Sequence, residues 1–236
     1  MSEQDKMKKV TAVFEIIAFV AFALVSKEIM DPFFGAYSGP ASLITTLIIL
    51  TIYMRRAGQT WSSMGLRTLP VLKEKLMVLP QALAIFVTVL ISIVILTKGL
   101  EAVGITFMSE PIEGEIDRWG DIQGDLQMYL ILITLSLVSA GFGEEMFFRG
   151  FLITRLKTVF SDIYLSSAIS VLLAALLFGY MHVYYQGLVG LVNGGIIGVI
   201  FGTYFLLYKR NLWPLIIAHG FINSLGFTSE FLGINL

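Results

Sequence analysis

Seven stretches of this sequence are apolar over about 17–25 residues, the length at which a helix crosses the hydrocarbon core of a bilayer. They cover residues 10–26, 38–54, 76–98, 127–148, 163–184, 187–208 and 211–230. Little is left between them from which to build a soluble domain. Hydrophobic residues make up 56% of the 236 and charged residues 14%, against roughly 25% charged in soluble domains. A mean hydropathy of +0.83 requires lipid to solvate much of the surface. The expected fold class is therefore all-α, a polytopic transmembrane helical bundle of about seven spans, with six to eight as the range. Gly39 and Pro40 make the second span the weakest, and the fourth can continue to about Lys157 because nothing breaks it before Ser161-Asp162.

Orientation follows from Lys and Arg in the short connections. Lys6, Lys8 and Lys9 precede the first span. Arg55, Arg56, Arg67, Lys73 and Lys75 lie between the second and third. Arg149, Arg155 and Lys157 follow the fourth, and Lys209 and Arg210 the sixth. The other connections are poor in basic residues, and residues 99–126 hold seven acids and one Arg. This alternation places the N-terminus in the cytoplasm and the C-terminus outside. Lys6 to Lys9 before an apolar run also resembles the start of a signal peptide. The run ends in Ser26-Lys27-Glu28 without a small-x-small cleavage pattern, so it reads as a retained first helix. The positive-inside pattern suits a bacterial plasma membrane or the endoplasmic reticulum, with the bacterial membrane preferred.

The chain is expected to form one membrane domain over 1–236. Residues 1–75 hold the N-terminal helices and an amphipathic segment, 59–75, at the cytoplasmic interface, where Trp61, Met64, Leu66 and Leu69 alternate with polar residues. Residues 76–126 hold the third span and an acidic outer loop, read as a solvated connector. Residues 127–230 form the core. A row of glycines, Gly190, Gly194, Gly198 and Gly202, lies on one helix face and permits close backbone approach. Internal packing is the first reading of this row and a homodimer seam the second.

A net charge of −1 offers no basic face for nucleic acid. The absence of cysteine excludes disulfides, thiolate metal sites and a Cys nucleophile. No Gly-x-Ser-x-Gly elbow occurs, and no Asp lies inside a span. The intramembrane ionisable residues cluster in the last hundred positions, where they are costly and often mark function. Glu145 and Arg149 are i,i+4 and can pair. Glu144 lies about 100° around the helix and faces a different neighbour. His219 and Asn223 are also i,i+4, a suitable pair of donors for an oxyanion. His182 ends the fifth span. If span four continues inward to about residue 159, Glu144 stands about 22 Å and His182 about 28 Å above the turn. If it stopped at Arg149, these two would sit near opposite membrane faces. Each motif has a plainer reading: a structural ion pair, an interfacial histidine, a helix–helix hydrogen bond. Glu15 has no evident partner and is assigned no role.

In order, Glu144-Glu145-x-x-x-Arg149, Phe178-x-x-x-His182 and His219-x-x-x-Asn223 resemble the motifs of the CPBP family of intramembrane proteases. That family is also called Abi. It includes the type II CAAX prenyl proteases and bacterial proteins linked to bacteriocin processing and self-immunity. Trp61 to Arg67 resembles the segment leading into the family's core. The resemblance implies peptide-bond hydrolysis within a helical bundle, on a membrane-associated peptide or protein. It implies Glu144 as general base, His182 as a holder of the water or of a metal, and His219 and Asn223 as oxyanion donors. Glu145, Arg149 and Phe178 would support them. His182, His219 and Glu144 would be the ligands if zinc is used. The His-Glu-x-x-His signature of zinc proteases is absent, and a metal-free glutamate mechanism needs the same residues. The alternative function is a non-catalytic immunity or secretion-partner protein on the same scaffold. A proton-coupled transporter is a third reading, disfavoured because no repeated half with interrupted helices is present.

Overall fold

A computed structural model describes residues 2–109 and 118–234. Glu110, Glu113, Glu115 and Asp117 of the acidic outer loop lie outside the described residues. Helix α1 spans Glu3–Phe34, a 3₁₀ turn spans Gly35–Tyr37, and α2 spans Ser38–Arg56. Helix α3 spans Leu72–Ala102, α4 Leu126–Val159, α5 Ser166–Leu207 and α6 Trp213–Leu232. No strand occurs among the described residues. Among the described residues, five helical stretches are long and apolar enough to cross a membrane: Glu3–Arg56, Leu72–Ala102, Leu126–Val159, Ser166–Leu207 and Trp213–Leu232.

Two of these five reverse direction. The first turns at Gly35, whose φ of 51° suits a residue without Cβ. Ser26 then meets Ser42 at 2.7 Å, and the Tyr53 hydroxyl donates to Glu15 at 2.7 Å. Those pairings run antiparallel. The second turns at Gly187, where φ 56° and ψ −142° leave the helix. A straight α5 of 42 residues would be about 63 Å long, twice the hydrocarbon thickness. Instead, 166–186 and 188–207 fold onto one another.

The glycine row closes that fold. A Cβ on Gly194 would sit 2.9 Å from the Gly179 Cα, one on Gly198 2.7 Å from the Ala175 Cα, and one on Gly202 2.9 Å from Val171. All four glycines of the row are buried. The homodimer seam is thereby corrected: this face is filled within the chain and is not open to a second copy. Gly198→Val is expected to cost about 1–3 kcal/mol through overpacking against backbone that cannot yield. The check is the melting temperature in detergent, with Ala175→Gly expected to recover part of the loss.

Both rims follow from the loops. At one rim Lys9 meets Asp162 at 2.5 Å, and Arg210 donates to the Ser63 carbonyl at 2.9 Å and to Thr154 at 2.6 Å. At the other, the ring of Tyr37 lies 5.3 Å from that of Trp119, and Tyr184 donates to Asp31 at 2.9 Å. The lysine- and arginine-rich connections therefore gather at one end. Of residues 59–75, read as an amphipathic interfacial stretch, 59–71 are not helical and form a docked loop, while 72–75 open α3. Met64 is buried, Trp61 donates to Thr51 at 2.9 Å, and the Gly65 carbonyl accepts from Leu212 N–H at 3.1 Å.

Helix α3 presents an exposed apolar face, on which Leu76, Leu79, Leu83, Leu90 and Ile95 are each more than half exposed. A soluble protein rarely shows so extended an apolar face. Inside, Phe19, Phe147, Phe151, Phe178, Phe201, Phe205 and Leu215 form one cluster. With lipid tails as the alternative solvent, packing rather than water exclusion holds it together. Glu15 proves to have partners after all. Besides Tyr53 it pairs with Arg155, which also bonds Gln59, so α1, α2 and α4 are tied by one buried polar network.

Candidate active site

Helix α4 carries the first motif, and its middle is not regular α-helix. Ser136–Ile153 is wound as π-helix, with i→i+5 hydrogen bonds, a rare form frequent at functional sites. The 100° step expected between Glu144 and Glu145 belongs to α-helical winding and is smaller in this wider one. Gly141 lets this helix touch α6. A Cβ there would lie 3.2 Å from the Gly220 backbone and 3.3 Å from the Ile216 carbonyl. On α6, which begins Trp213-Pro214 with proline in its first turn, His219 is next to that contact. One turn down α4 from Gly141 comes Glu145. The close approach of the two backbones thus presents His219 to the paired carboxylates.

The geometry is closely coupled. His219 Nδ1 lies 2.8 Å from Glu145 Oε1, and Arg149 Nη1 donates to the same oxygen at 2.9 Å. His219 Nε2 lies 3.7 Å from Glu144 Oε2. The i,i+4 pair of Glu145 and Arg149 therefore forms, but Glu145 also bridges to α6, which the sequence reading did not anticipate. Glu145 is 0% exposed and Arg149 1%. Arg149 is sandwiched between aromatic faces, 4.5 Å from the Phe178 centroid and 5.0 Å from that of Phe201. Its second amino group reaches the Ile197 carbonyl at 3.4 Å. Glu144 differs: its side chain keeps 21% exposure, while its Oε2 has no hydrogen-bond partner.

His182 joins through Phe178. The Phe178 ring lies 4.6 Å from the His182 ring and 6.1 Å from the His219 ring. His182 Nδ1 bonds the Phe178 carbonyl at 2.7 Å. A carbonyl only accepts, so Nδ1 carries the proton and Nε2 is left as an acceptor. Asn223 lies one turn along α6 from His219, half-buried, with no hydrogen-bond partner among the described residues. Helix α4 does continue to Val159, the condition on which a shared depth for Glu144 and His182 depended.

A catalytic zinc would need His182, His219 and Glu144 converging on one point. Among the described residues no three His, Asp or Glu side chains are grouped to hold a metal ion. The donor set as arranged does not fit one, and no step below passes through a metal. Two recesses of about 510 and 530 Å³ lie elsewhere, one lined by Lys8, Lys9, Lys157 and Arg210, the other by Leu130, Ile131 and Thr134. Neither contains the carboxylate–imidazole cluster.

A family model described as Rce1-like, type II CAAX prenyl endopeptidase, matches residues 126–225. No curated protein and no solved structure matches the chain.

Proposed function

We propose, from the match of residues 126–225 to the Rce1-like type II CAAX prenyl endopeptidase model, that the chain is an intramembrane endopeptidase using glutamate-activated water. The observation that carries the mechanism is His219 set between Glu144 and Glu145, at 3.7 and 2.8 Å. Seven crossings complete the reading, with each reversal at Gly35 and Gly187 separating two of them and the basic rim in the cytoplasm.

Glu144 is the general base. Its unpartnered Oε2 is free to accept a proton from water, and Nε2 of His182 accepts the water's other hydrogen. The oxygen attacks the scissile carbonyl carbon as Glu144 takes the proton. His219 and Asn223 donate to the resulting oxyanion. Glu145 holds Nδ1–H of His219, so donation from Nε2 requires the doubly protonated ring. When Glu144 is neutralised, its negative charge reappears on the oxyanion. No net charge is created in a low-dielectric site, which keeps the barrier low. The C–N bond then breaks and Glu144 returns its proton to the leaving amine.

The family's description supplies the first substrate to try, a prenylated peptide with a C-terminal CAAX sequence. Proteoliposomes holding the purified chain should cleave a quenched-fluorescence farnesylated peptide of this kind faster than its unprenylated counterpart. Cleavage of neither peptide, nor of a wider panel of membrane peptides, would remove the protease reading and favour a binding role on the same scaffold.

A further inference from the structure

The second arm of α5, 188–207, contains one carboxamide, Asn193. Its Oδ1 is closed to solvent and has no hydrogen-bond partner. A buried acceptor left unmade costs free energy, and such residues in spans ordinarily bond a neighbouring helix. Asn193 Oδ1 does not, and its neighbours along α5 border the active site. Gly194, next in sequence, packs on His182: a Cβ there would stand 3.3 Å from His182 Nδ1. One turn on, the Ile197 carbonyl accepts from Arg149 at 3.4 Å. A further turn on, the Phe201 ring lies 5.5 Å from that of His219. Asn193 thus adjoins the residue that touches His182 and stands one and two turns before those that touch Arg149 and His219.

We propose that Asn193 is a substrate-binding residue whose Oδ1 accepts a backbone N–H of the bound peptide beside the scissile bond. The inference rests on the protease reading. A peptide drawn into this bundle must have its amide hydrogens satisfied, because lipid offers nothing to accept them. Glu145 Oε1 is committed to Arg149 and His219, and Glu144 and His182 to the water. Asn193 Oδ1, like Glu145 Oε2, has no partner of its own, and it is the one of the two that carries no charge and makes no ion pair.

The test uses the farnesylated peptide and two analogues in which one amide flanking the scissile bond, on either side, is replaced by an ester. Wild type, Asn193→Leu and Glu144→Gln are compared in proteoliposomes. Asn193→Leu is expected to lower kcat/KM about ten-fold, mainly through KM. One of the two esters should slow the wild type by a similar factor and slow Asn193→Leu no further. The melting temperature should not fall, since an unsatisfied acceptor is removed. Wild-type kinetics in Asn193→Leu, or ester effects that add fully to the substitution, would overturn the proposal. A lowered melting temperature with equal losses on all three peptides would do the same, by assigning Asn193 to packing. Glu144→Gln separates the two failures. If it is inactive while Asn193→Leu is unimpaired, only the binding role is lost. If Glu144→Gln cleaves like wild type, or no form cleaves, the protease reading fails and this inference with it.

Discussion

Glu144→Gln should reduce peptide cleavage by about 10²- to 10⁴-fold, the contribution of a positioned general base, while leaving the folded protein almost unchanged. The second half of that expectation follows from the site. Glu144 Oε2 accepts no hydrogen bond, and His219 Nε2 stands off from it at 3.7 Å. The side chain retains 21% exposure, so the amide need not be forced into a sealed core. Turnover in proteoliposomes and the melting temperature in detergent together check this. Cleavage at the wild-type rate would show that another group activates the water. A cellular protection phenotype that persisted in the inactive variant would favour the binding reading.

Glu145→Ala is expected to do the opposite and damage the fold first. Arg149, 1% exposed, would lose its partner at 2.9 Å and remain as an uncompensated buried charge. Breaking such a pair costs about 3–5 kcal/mol, enough to threaten a domain of ordinary stability. Glu145→Gln keeps the shape and one acceptor. It should leave a folded protein whose cleavage falls about 10- to 100-fold, the usual effect of disturbing a group that orients a functional histidine. Replacing both partners, Glu145→Leu with Arg149→Met, should restore the melting temperature toward wild type without restoring cleavage. Recovery of cleavage in that double variant would mean that the bridge to His219 has no part in catalysis.

Much of the architecture is legible in the sequence because its cause is local. Each helix satisfies its own backbone hydrogen bonds in lipid, so runs of apolar residues mark helices without reference to anything distant. Gly35 falls in the gap between the first two apolar runs and Gly187 at the very start of the sixth, and there the chain turns. The basic loops are collected at one rim for the same reason. The Glu145–Arg149 pair was also readable, since i,i+4 spacing brings those side chains together on nearly any helical winding. A lone carboxamide in an apolar span was a signal at Asn193, but not one that pointed to a location.

The sequence by itself determined the helices, their order, and the three motifs that suggested an enzyme. Only the tertiary structure decided that the glycine row closes α5 upon itself, that α4 widens into a π-helix from Ser136 to Ile153, and that His219 lands between two carboxylates. The reason is physical. Helix formation depends on neighbours within a turn, whereas the depth and rotation of one helix against another are set by which small residues meet. Gly141 against Gly220 is such a meeting, between residues 79 positions apart, and no local pattern encodes it.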